Sequence, residues 1–142
     1  MNPSSSNIGW LRILGAALAV TVLSFLILMF VIAVYAFVLA FQAWGAPDQS
    51  AINHFAASVS ARWMPWFEAL MTLLLAFGIA RRAQAAGILH GLLVGCLAGL
   101  LSVAVTLAFG GRLGPRNLLF FLTAVGLGWL GGLMGQKRTG ET

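Results

Sequence analysis

Residues 83–110 read AQAAGILHGLLVGCLAGLLSVAVTLAFG, an apolar run without Asp, Glu, Lys or Arg. Gly87, Gly91, Gly95 and Gly99 recur in it at a spacing of four. On an α-helix that spacing stacks them along one side, with a drift of about 40° per step. A helix with such a stripe lets another backbone approach closely, which is how helices associate in lipid. The same run holds His90 and the only cysteine, Cys96. It reads as the packing spine of an all-α integral membrane bundle.

Composition points the same way. The chain has 142 residues, of which 61% are hydrophobic and 8% charged. The mean hydropathy is +0.97. A soluble domain carries about 25% charged residues, so this chain has too few to cover a water-facing surface. The bilayer is its natural solvent, and the length fits one domain. The net charge of +5 is no nucleic-acid signal, because the positive residues sit at the ends of apolar runs, where they orient helices. A single cysteine forbids an internal disulfide.

Outward from the spine, four transmembrane helices are expected over residues 12–43, 64–80, 84–110 and 117–135, in a single domain covering 1–142. A short amphipathic helix is expected at 47–62, in the first outer loop. The first span, uncharged from Ile13 to Phe41, would reach about 43 Å as a helix, well beyond the ~30 Å hydrocarbon core. A cleavable signal has an apolar core of only about 7–15 residues, so a retained span is favoured. Ser6 or Asn7 can cap this helix. Gly45-Ala46-Pro47 ends it, and Pro47-Asp48-Gln49 opens the next. Ile52, Phe55, Ala56, Val59 and Trp63 then follow at helical spacing. The breakers between Gly110 and Pro115 make a turn, and Asn117 can cap the fourth span.

Arg12, Arg81, Arg82, Lys137 and Arg138 fall on one side of this topology, and Arg62, Arg112 and Arg116 on the other. The bias places both termini in the cytoplasm. The spans differ in length and glycine content, so no internal repeat is read.

Few residues offer chemistry. Gly128 and Gly132, with Ala124, give the fourth span its own small stripe, and Gly131 with Gly135 a second. Glu68 is the one acidic residue inside a span, and an intramembrane carboxylate is a functional candidate by default. An ion pair with Arg62, Arg112 or Arg116, or contact with headgroups, is the plainer reading and the favoured one. His90 is read as a hydrogen-bonded structural histidine, because haem or zinc would need further ligands that its surroundings do not supply. No metal or other cofactor is expected, and no catalytic set is found. Gly126, Gly128 and Gly131 spell a GxGxxG motif, but without a preceding strand it has no phosphate-binding meaning.

Arg81-Arg82 leading into His90-Gly91-Leu92-Leu93-Val94-Gly95, with Gly128-Trp129-Leu130-Gly131-Gly132 near the end, resembles small bacterial four-span membrane proteins, a group without an assigned activity. The resemblance runs from the Ala46-Pro47-Asp48 loop onward. It implies a multi-pass protein of the bacterial inner membrane and carries over no functional residue. The functional expectation is a non-enzymatic scaffold or accessory subunit. It would act through its glycine-rich faces in the lipid bilayer, as a homo-oligomer or within a larger membrane complex. The alternative is a small transporter or channel component using Glu68 and His90.

Overall fold

In the computed structural model, which describes residues 9–83, 86–108 and 110–136, the chain forms four helices. They are α1 (Trp10–Ala43), α2 (Gln49–Ala83), α3 (Gly87–Ala108) and α4 (Pro115–Gly135). All four are long and apolar enough to cross a membrane, so the chain is a multi-pass membrane bundle.

The local signals at the helix ends explain these bounds. Gly9, rather than a serine, sits at the start of α1 and takes the Arg12 and Ile13 N–H groups on its carbonyl, at 2.8 and 3.1 Å. Ser6 and Asn7 lie outside the described residues, as do Lys137 and Arg138. Trp44 adopts the left-handed conformation (φ 50°), which closes α1 before Gly45 and Pro47. Asp48 then caps α2, its Oδ1 accepting from the Ser50 and Ala51 N–H groups at 2.8 and 3.3 Å. The Ser50 side chain and those backbone donors hold the exposed Asp48 carboxyl below its ordinary range. After α3, Gly110 turns with φ 73°, and the Gly111 N–H reaches back to the Thr106 carbonyl at 2.9 Å. Gly114 precedes α4, and Pro115 begins it, with no N–H to leave unpaired. Asn117 is therefore not the cap residue itself. It lies one turn in and takes the Gly114 N–H on its Oδ1 at 3.1 Å.

One expected boundary is absent. The segment expected as a separate amphipathic helix at 47–62 runs without a break into the second span, as the 35 residues of α2. Trp63-Met64-Pro65 suggests a helix start because proline favours the first turn. Here Pro65 lies inside the helix, which is tolerated in a membrane when another group takes the freed carbonyl.

The helices differ in reach. At 34 and 35 residues, α1 and α2 are each about 50 Å long. At 22 and 21 residues, α3 and α4 are about 32 Å, close to a hydrocarbon core. The long pair therefore continues past the short pair as a hairpin, held by the Tyr35 and Phe55 rings stacked at 3.8 Å. We call this the hairpin end, and the opposite one, with Arg12, Arg81 and Arg82, the terminal end. Between them, α2 and α3 form the middle of the bundle. Among the described residues, α1 and α4 each pack on that pair and not on each other.

Toward the terminal end the backbones touch. A Cβ built on Gly91 would lie 2.6 Å from the Gly132 Cα, and one on Gly128 would lie 2.8 Å from the Gly95 Cα. On the other side of α4, a Cβ on Gly131 would meet the Leu73 carbonyl at 2.7 Å, and one on Gly135 the Phe77 carbonyl at 2.6 Å. Gly132 backs onto Ile88, and Gly87 onto Ala80. The series changes character at Gly99, where the space is taken by the Phe121 ring instead of a backbone. Ile13, Ala16, Ala76 and Val94 form the apolar core beside this contact.

Candidate functional site: a carboxylate cleft at the hairpin end

Beyond Phe121 the helices no longer close on one another. The gap is a cleft of about 300 Å³ that Glu68, Ser102, Thr106, Arg116 and Asn117 line together with Phe25, Phe120 and Phe121. Glu68 is half-buried on α2, and one carboxylate oxygen accepts from the Ser102 hydroxyl of α3 at 2.9 Å. Among the described residues, no arginine or histidine forms an ion pair with it. The expected pairing with Arg62, Arg112 or Arg116 is not made.

What holds Arg116 elsewhere is Pro65. A proline has no N–H, so the carbonyl four residues earlier, that of Ala61, lacks its helical partner. The Arg116 guanidinium donates to that carbonyl from α4. The same guanidinium lies over the Phe120 ring, 5.2 Å from its centroid. Arg116 thus bridges α4 to α2 at the lip of the cleft, and among the described residues the Ala61 carbonyl is the one acceptor that its five N–H donors meet. A second hollow of about 400 Å³, lined by Ala61, Arg62, Pro65, Trp66, Arg116 and Phe120, adjoins the first on the outer face of this bridge.

One turn deeper than Glu68, Thr72 is fully buried, and its hydroxyl has no hydrogen-bond partner among the described residues. It shares a small void of about 10 Å³ with Glu68, Ser102, Val20 and Phe120. The polar line therefore runs from the Arg116 lip through Ser102 and Glu68 to Thr72, inside an otherwise apolar bundle. Such groups are costly to bury in lipid and gather where a protein handles something polar.

His90 takes no part in this. Its Nδ1 lies 2.8 Å from the carbonyl of Ala86, four residues back and just before α3 begins. It lies twelve residues before Ser102 on α3, about 18 Å along the axis. The structure does not bring Glu68 and His90 together. Among the described residues, no group of His, Cys, Asp and Glu could hold a metal ion. Gly87, Gly91, Gly95, Gly128 and Gly132 lie in the helix contacts described above, and Gly99 lies where the cleft begins. The residues that sequence reasoning missed are Ser102, Thr72 and Arg116 as cleft members. The one available signal was Pro65, whose missing N–H implies an orphaned carbonyl at Ala61.

No known protein family, characterised protein or solved structure matches this chain. The functional reading therefore rests on the cleft itself.

Proposed function

We propose that the protein is a small transport component of the membrane that binds its solute at Glu68. One observation carries this reading: a carboxylate whose one hydrogen-bond partner among the described residues is a neutral serine lies at the inner end of an accessible cleft. A purely structural carboxylate at that depth would be expected to have a cation beside it. The proposed setting is the bacterial inner membrane, with both termini cytoplasmic. The Arg81-Arg82 pair at a short turn supports that orientation. The cleft then opens on the outer side. The glycine contacts support a rigid closed end against which a binding site can be held.

Purified protein in liposomes, with an imposed proton gradient, tests the reading. Glu68→Gln should leave the thermal transition unchanged and abolish solute-coupled flux. Equal flux in the variant would sink the proposal.

A second reading, an accessory subunit acting as a scaffold, is favoured by a different feature. Phe37 and Phe41 of the α1 extension and Trp44 just after it are 71%, 73% and 94% exposed, beyond the level where α3 ends and α4 begins. Mild-detergent purification from native membranes, with mass measurement of the intact assembly, would reveal a stable partner.

A further inference from the structure

The cleft presents two opposed charges, a carboxylate at its inner end and a guanidinium at its lip. A plain cation drawn to Glu68 would have to pass Arg116, which repels it, and would bring a net charge into a low-dielectric space. A molecule carrying both signs meets neither penalty. The spacing limits its size. Arg116 is fixed at the level of Ala61, and Glu68 lies seven residues further along α2, about 10 Å along the axis. The Ala61 carbonyl points toward the C-terminal end of α2 and the Glu68 side chain leans toward its N-terminal end, so this rise is an upper bound on the space between the two charged groups. Phe25, Phe120 and Phe121 add an apolar wall beside this axis.

We infer that the solute of the cleft is a small zwitterion. Its ammonium is held by Glu68 and Ser102, and its carboxylate or phosphate by Arg116, with the two groups a few bonds apart. The inference rests on the reading of Glu68 as the binding carboxylate, and it adds Arg116 as the residue that selects against simple cations. Pro65 acts as a positioning residue, because the carbonyl that it frees fixes the guanidinium. The ammonium–anion chemistry is shared by free amino acids and by the phosphoethanolamine headgroup. The adjoining hollow between α2 and α4 gives the second source a lateral way in.

The test is binding of radiolabelled L-leucine to the full chain in phosphatidylglycerol nanodiscs, whose lipid has no ammonium. Phosphoethanolamine should displace the label and tetramethylammonium should not. Glu68→Gln and Arg116→Gln should each weaken binding at least tenfold, the first with an unchanged melting curve and the second with a small downward shift that leaves the protein folded at the assay temperature, while Arg116→Lys should stay within a few-fold of the parent. Loss of leucine binding on adding phosphatidylethanolamine to the discs would keep the chemistry and name the lipid headgroup as its source. If tetramethylammonium competes as well as the zwitterions and Arg116→Gln has no effect, the site is a plain cation site. The zwitterion assignment then falls and the transport reading stands. If no probe binds and Glu68→Gln leaves flux intact, both fall.

Discussion

The two ends of α4 meet the same two neighbours in opposite ways. At Gly128, Gly131 and Gly135 the helix lies against the backbones of α2 and α3, with no room for one more carbon. At Arg116, Asn117 and Phe120 it stands off from them, and a polar cleft fills the gap. The change happens within about two turns, between Gly128 and Phe121. What differs is the size of the residue at the contact: glycine draws the backbones together, and phenylalanine props them apart. A bundle that closes at one end and is propped open at the other can hold a polar pocket without losing its core.

The largest effect should come from forcing the closed end open. Gly128→Leu places a branched side chain against the Gly95 backbone, and overpacking of this kind costs about 1–3 kcal/mol or more. Its thermal transition in detergent should fall by several degrees or disappear. An unchanged transition would mean that α3 and α4 are not held by this contact.

At the open end the coupling between Pro65 and Arg116 is the sharper probe. Arg116→Gln should remove roughly 1 kcal/mol in the parent, and much less once Pro65→Ala has restored the N–H that satisfies the Ala61 carbonyl. Additive effects in this double-mutant cycle would separate the two residues.

Gly126 gives a smaller effect of opposite sign. It is two residues from Gly128 on the same helix, yet nothing lies within 4 Å of a Cβ built there. Gly126→Ala should raise stability by about 0.5–1 kcal/mol through helix propensity alone. A destabilised Gly126→Ala would show that this face of α4 is covered.

The smallest effect concerns Asp48, far from both ends of α4. Its folded carboxyl titrates below its ordinary range, so its contribution is present above the unfolded pKa and is lost as pH falls through the folded one. Amide exchange at Ser50 and Ala51 should accelerate on acidification through that window. Asp48→Ala should exchange fast at every pH, with the global transition hardly moved.

These differences also mark what could be read from the sequence. The four spans follow from the length of the apolar runs, and a repeat of four on a helix fixes a small-residue face without naming its neighbour. Glu68 stood out alone, since any charge in an apolar run does. Its surroundings did not. Ser102 lies 34 residues away and is an unremarked serine in a span, and the Arg116–Ala61 bridge closes over 55 residues. Those pairings depend on how three helices are placed, which local pattern does not encode. The break expected near Pro65 failed for the same reason: a distant arginine, rather than a helix end, answers the missing hydrogen bond.

The unequal helices carry a consequence for the membrane around them. On one flank α1 presents apolar side chains from Leu11 to Phe41, and on the other flank α4 spans only about 32 Å. The surrounding lipids are asked for two thicknesses at once, and each ångström of mismatch costs a fraction of a kcal/mol. Tilting the whole bundle relieves one flank only by burdening the other. Lipids on the α1 flank are therefore drawn toward a thicker layer than those on the α4 flank of the same molecule.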